Sequence, residues 1–156
     1  DSLSQGGVLL DGSERATVQY AKCCHPVPGD PVVGYLERGE GLIVHHAQCD
    51  VARELQRKDG ERFLSVDWAD GPTRAFEVAL TVTVNNHKGV LARVATELAS
   101  CEADIVHMDM DDATGTTADL RFTVAVRNLA HVESILRSLR RMNVVLKVER
   151  VFSVSA

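Results

Sequence analysis

The sequence predicts an α+β chain of two small domains, and three observations carry that prediction. Cysteine, histidine and proline are concentrated between Tyr20 and Cys49, which holds three of the four cysteines, three of the six histidines and three of the four prolines. From Phe76 onward, apolar residues alternate at a period of two and then recur at helical spacing, twice over. Between the two regimes, Ala69-Asp70-Gly71-Pro72 is the strongest turn cluster in the chain. At 156 residues and 45% hydrophobic, the chain can bury one core or two small ones. The expected division is a small β-rich cysteine-containing domain over 8–70, a linker over 71–75 and a second domain over 76–153.

In the first domain, residues 1–7 are polar and Gly-rich and read as a frayed end. Val8–Leu10 and Ala16–Tyr20 read as strands around the turn Asp11-Gly12. Pro26 to Pro31 cannot be helical and forms a rigid extended turn. Val32–Leu36 and Leu42–His46 are β-prone runs joined by Glu37-Arg38-Gly39-Glu40-Gly41, whose glycines suit a hairpin. Asp50 is the expected N-cap of a helix from Val51 to about Arg57, and Phe63–Trp68 the next strand.

That hairpin returns His45, His46 and Cys49 toward Cys23, Cys24 and His25. Gathered thiols and imidazoles are what a tetrahedral zinc site needs. Adjacent side chains on an extended backbone point apart, so one of Cys23 and Cys24 would stand outside such a site. The competing reading is a set of small reduced thiols packed as hydrophobes. A hydrolytic metal site is disfavoured, since only Asp30 and Asp50 lie near as carboxylates.

In the second domain, Phe76 to Val84 alternate as a half-buried strand, and Val90, Leu91, Val94, Ala95, Leu98 and Ala99 mark a helix to about Ser100. Ile105–Asp111 and Ala118–Val126 are strands joined by 112–116. Val132, Ile135, Leu136, Leu139 and Met142 mark a second helix, and Val144–Phe152 a last strand. This βαββαβ order is the ferredoxin-like arrangement, a four-stranded antiparallel sheet with two helices on one face. Met108-Asp109-Met110-Asp111-Asp112 lacks calcium-loop spacing and reads as a solvated strand end. Arg137, Arg140 and Arg141 read as an ordinary polar helix face, and Cys101 as a buried small residue.

The net charge of −5 divides into 8 basic against 12 acidic residues over 1–74 and 9 against 10 over 75–156. Neither half has the basic surplus of a phosphate-backbone binder. No apolar run approaches the roughly 20 residues that cross a bilayer, so no membrane partner is expected. Cysteine usage fits a reducing cytoplasm better than secretion. The chain opens on Asp1 rather than methionine, which reads as a piece of a longer protein.

The stretch YAKCCHPVPGDPVVGYLERGEGLIVHH with its following AQC resembles the conserved-cysteine, zinc-finger-like domain of RelA/SpoT homologues. The second half resembles their ACT domain. The likeness spans residues 8 to 153, and CCHP with FEVALTVTVNNHKGVLARVATELA is closest to the bifunctional, SpoT-like members. It implies a non-catalytic regulatory fragment of a bacterial (p)ppGpp synthetase/hydrolase of the stringent response, whose catalytic domains lie upstream. It implies a Zn2+ site at Cys23, Cys24, His45 and Cys49, with His25 and His46 extra. The partners it implies are a second copy bound through the ACT domain, the catalytic domains of the same chain, and ribosomal RNA or tRNA.

ACT ligands are often small amino acids, held at the loop that here reads Asn86, His87, Lys88, Gly89, Val90 and Leu91. Asn86 stands where the family often has an acid, so a branched-chain amino acid is expected to bind weakly. Otherwise Gly89 permits the turn and Asn86 caps the helix. A free-standing amino-acid-sensing ACT module and a zinc-dependent RNA-binding module are the alternative functions.

Overall fold

The computed structural model describes residues 8–10, 18–71, 74–111 and 115–152. The turns expected at Asp11-Gly12 and over 112–114, residues 1–7, Ala16, Pro72, Asp112 and the end of the second domain at residue 153 lie outside the described residues. The chain divides into two compact units, one of Asp1–Phe76 with Phe152–Ala156 and one of Glu77–Val151.

The first unit contains β1 (Val8–Leu10), β2 (Val18–Tyr20), β3 (Val32–Glu37), β4 (Gly41–His46), α1 (Asp50–Asp59), β5 (Phe63–Leu64) and β6 (Val66–Trp68). β3 and β4 form the expected hairpin, antiparallel from Val32↔His46 to Glu37↔Gly41. Its turn uses the left-handed backbone of Gly39 and Gly41, at φ 79° and 90°, which a side chain would resist. β2 runs parallel to β4 and β5 antiparallel to β3, giving the order β2-β4-β3-β5. Leu10, Leu42, Val44 and Val66 form the buried apolar cluster beneath.

Three expectations are corrected here. The single strand expected over 63–68 breaks at Ser65, because its halves serve different sheets: β5 pairs with β3 and β6 runs parallel to β1. The Ser65 carbonyl accepts the Val8 N–H at 3.0 Å, where β1 joins. β1 and β2, which read as neighbours around a turn, likewise lie in separate sheets. The N-cap of α1 is Cys49, in extended backbone and without a side-chain cap bond, rather than Asp50. Its carbonyl accepts the Arg53 N–H at 3.0 Å, and Asp50 sits in the first turn, where its charge suits the helix dipole.

The second unit contains β7 (Phe76–Asn85), α2 (Val90–Ser100), β8 (Asp104–Met110), β9 (Thr117–Val126), α3 (Leu129–Arg140) and β10 (Val145–Val151), with Phe76 itself assigned to the first unit. The sheet order is β10-β7-β9-β8, the ferredoxin-like βαββαβ arrangement. Phe76, Val78, Leu80, Val82 and Val84 are buried at every second position of β7. α2 buries Val90, Val94 and Leu98, and α3 buries Val132, Ile135 and Leu139, the apolar faces that helical spacing predicted. The Asn128 side chain caps α3 by accepting the His131 N–H at 2.9 Å. α2 has no such cap: Gly89 holds the N-cap position at φ 81° without a side-chain bond, so the expectation that Asn86 caps this helix is overturned.

Candidate metal centre

Cys23, Cys24, His45 and Cys49 come together because three local structures end at one point. β2 continues past Tyr20 when the Ala21 N–H donates to the Val44 carbonyl at 2.9 Å, and the chain then turns as the His25 N–H returns to the Ala21 carbonyl at 2.9 Å. His25 takes a positive φ of 50°. Cys23 and Cys24 are thus on a tight turn, not an extended run, and both sulfurs point to the same place. The expectation that one of them stands aside is corrected by that turn. His45 is set by its register opposite Val33 near the end of β4, and Cys49 by its place as N-cap of α1.

The Cys23 sulfur lies 4.0 Å from that of Cys24, 3.6 Å from that of Cys49 and 3.5 Å from His45 Nδ1. His45 Nδ1 is 3.9 Å from Cys24 Sγ and 3.8 Å from Cys49 Sγ. All four donor atoms fall within 4.8 Å of one another. A tetrahedral zinc with ordinary bond lengths has S–S edges of about 3.8 Å and S–N edges of about 3.6 Å. Five edges of the observed tetrahedron match those values within a few tenths of an ångström, so the donor set fits a closed Cys3His site. This cluster could hold a metal.

Without an ion the site is electrostatically unfavourable for thiolates. Burial, reinforced by the Cys49 thiol, pushes the Cys23 thiol up from 9.0 to about 11. Cys24 is raised further, again chiefly by burial. Burial lowers the His45 imidazole below its usual value, favouring the neutral ring that a metal ligand must present. Burial therefore favours the neutral forms of Cys23, Cys24 and His45, and a bound cation would draw the two sulfurs toward their ionised form. All four cysteines of the chain are free thiols.

Two residues beside the cluster carry roles that spacing did not reveal. The His46 main-chain N–H donates to Cys24 Sγ at 3.2 Å. Its ring accepts the Gln48 N–H at Nδ1, 3.0 Å away, which leaves the ring hydrogen on Nε2, facing the Asp30 carboxylate at 3.5 Å. Asp30 also accepts the Val27 N–H at 2.8 Å, and both residues are buried. The signal was a carboxylate inside the proline-rich turn and a second histidine beside the ligand.

The other expected sites are not gathered in this way. Asn86, His87, Lys88 and Gly89 form an exposed loop before α2, with Val90 buried and Leu91 half-buried. The Asn86 N–H donates to the Thr116 carbonyl at 2.7 Å. Asp109 and Asp111 both pair with Arg121 on the neighbouring strand, the latter at 2.7 Å, as a solvated strand end would. Arg137, Arg140 and Arg141 are exposed, and Cys101 is half-buried rather than buried. No helix among the described residues is long and apolar enough to cross a membrane.

Residues 8–69 match the family described as the RelA/SpoT RIS domain, and residues 72–150 the ACT domain. The bifunctional (p)ppGpp synthase/hydrolase SpoT of Escherichia coli K12 is 30% identical over 147 residues, 94% of this chain and 21% of that protein. The GTP pyrophosphokinase of Streptomyces coelicolor is 33% identical over 94% of this chain and 17% of its own length. The bifunctional (p)ppGpp synthase/hydrolase RelA of Mycobacterium tuberculosis is 33% identical over 94% of this chain and 20% of its own length. The chain thus spans about a fifth of the length of these curated relatives. Carrying an ACT domain directly after a RelA/SpoT RIS domain, as two consecutive units of one chain, it belongs to the RelA/SpoT family.

Proposed function

We propose that this chain is the regulatory, non-catalytic part of a bifunctional (p)ppGpp synthetase/hydrolase, controlling the balance of the two activities through contacts made by its two domains. The observation that carries this reading is the RIS-then-ACT order matched across nearly the whole chain to proteins named for both activities. Fold alone would not choose this function, because ferredoxin-like domains serve many unrelated roles. The test is a comparison of alarmone synthesis and hydrolysis by the full-length protein with and without this segment. A changed ratio of the two is expected, and identical rates of both would refute the role.

Within that reading, the cysteine cluster holds one zinc per chain in a structural role. Bound there, the ion would supply a crosslink between the 21–25 turn, the end of β4 and the start of α1. Three soft sulfurs and an imidazole favour zinc over magnesium or calcium, which prefer oxygen. Elemental analysis of protein purified without chelator should find about one zinc. Cys49→Ser should remove it and lower stability by about 2 kcal/mol. Metal-free protein whose melting is unchanged by Cys49→Ser would rule the zinc out.

A further inference from the structure

We infer that His46 and Asp30 are positioning residues of this metal centre, and that they convey its loading state to Trp68 and to the two residues at which the chain passes between its units. The inference rests on the zinc reading above. It starts from His46, which touches the cluster and its surroundings by different atoms. Its main-chain N–H meets Cys24 Sγ at 3.2 Å, while its ring is held between the Gln48 N–H and the Asp30 carboxylate. A shift of Cys24 Sγ on accepting an ion is therefore coupled to the β4 end through this hydrogen bond, and movement there is resisted by the buried ring.

From Asp30 the connection continues by a second hydrogen bond, since the Trp68 indole donates to the Asp30 main-chain carbonyl at 3.0 Å. Trp68 stacks on Tyr20 at 5.8 Å and meets Phe76 edge-on at 5.6 Å. The His46 ring itself packs on Phe152 at 4.4 Å between centroids. Phe76 is where the chain leaves the first unit, and Phe152 is where it returns. Phe152 is thus packed against a residue in direct contact with the cluster, and Phe76 against one joined to it by three successive contacts. Hydrogen-bonded networks of this kind hold ligands in register, and losing such a partner typically costs about 10- to 100-fold in metal affinity.

The experiment uses the 156-residue chain stripped with chelator, and reads two signals separately. Co2+ reports the site itself through its thiolate charge-transfer and visible absorption. Zn2+, which is optically silent, is titrated while the emission of Trp68, the single tryptophan, is followed. The wild-type chain is expected to show both the cobalt bands and a Trp68 emission shift saturating at one Zn2+. Asp30→Asn, which keeps the shape and the acceptor for the Val27 N–H, should retain tetrahedral cobalt bands with about 10- to 100-fold weaker binding and lose the emission shift. Should Asp30→Asn fail to fold by far-UV circular dichroism, His46→Gln is read in the same way.

Absence of cobalt bands from the wild-type chain would overturn the zinc reading and this inference with it. Cobalt bands with an unresponsive Trp68 would leave the metal in place and overturn the connection alone. Wild-type affinity and an intact emission shift in Asp30→Asn would overturn the positioning role.

Discussion

Three thiols and an imidazole gathered within 4.8 Å of one another place opposite demands on Cys23, depending on whether a cation is present. Metal-free, its proton is held until about pH 11 in the folded chain, against 9.0 when unfolded, so the folded form binds more protons across that window. Stability is therefore fully present below pH 9.0 and lost as pH rises toward 11. His45 acts at the other end: its folded value is lowered, so stability is lost as pH falls below about 6.5 and the unfolded ring takes up its proton. Thermal melts of chelator-treated protein should fall on both sides of neutrality. Zinc-loaded protein should lose the alkaline fall, since its thiols are already ionised, and keep the acid one. An alkaline fall that persists with zinc would show that Cys23 is not a ligand.

Asn86 is the residue at which the loop before α2 departs from the acid often found in ACT domains. Charge-assisted hydrogen bonds are about twice as strong as neutral ones, so an ammonium group held here loses about 1 kcal/mol, several-fold in affinity. Valine or isoleucine is expected to bind weakly, and Asn86→Asp to tighten binding in a calorimetric titration. Tight binding that Asn86→Asp leaves unchanged or weakens would show that the loop does not select ligands by this charge. The concentration of cysteine and histidine was legible in the sequence because both residues are rare enough for their spacing to stand out, whereas the particular set Cys23, Cys24, His45 and Cys49 came only from the family resemblance. Asp30 was not legible, since a lone carboxylate in a turn reads the same whether it faces water or a buried histidine.

At the scale of the elements, local pattern identified both helices of the second unit and all four of its strands; β7 and β9 bury one face at every second residue, whereas β8 fully buries none of its side chains. It failed at 63–68, where the β-prone stretch Phe63-Leu64-Ser65-Val66-Asp67-Trp68 conceals a change of sheet at Ser65, and at α1, where a cysteine holds the N-cap instead of the neighbouring aspartate. Strand partners are a non-local property, and local sequence carries little information about them. Gly34 shows one such hidden constraint. A Cβ there would come within 2.9 Å of Leu42 Cδ1 and of Val66 Cγ1, so β3 passes too close to its neighbours for any side chain. Gly34→Ala should cost about 1–3 kcal/mol by overpacking. Asn128→Ala, which removes only the cap of α3, should cost about 1 kcal/mol. Urea denaturation of the two variants gives the comparison, and a Gly34→Ala midpoint equal to wild type would mean that the neighbouring side chains can yield.

At the scale of the molecule, the strand β8 gathers several of the exposed large hydrophobic side chains. This strand ends the sheet order of the second unit, pairing with β9 on one side only. Its exposed residues include Ile105, Val106 and Met110, the last two half-accessible or more. An edge strand in a soluble protein is usually blunted by charge, proline or a covering element, because its unpaired amides and carbonyls invite another strand. On β8 the exposed Ile105 and Val106 lie at a register shift between Ile105 and His107, flanked by Asp104 on one side and the His107–Asp109 pair on the other. A second copy presenting the same edge would pair the two strands and cover the apolar side chains, and a two-fold contact of this kind closes on itself. Light scattering at high micromolar concentration is therefore expected to report a dimer. Val106→Lys should shift the equilibrium toward monomer without altering the fold, as a lysine on an edge disfavours strand addition. A wild-type mass equal to the monomer at that concentration would remove the dimer, and a dimer indifferent to Val106→Lys would move its interface away from β8.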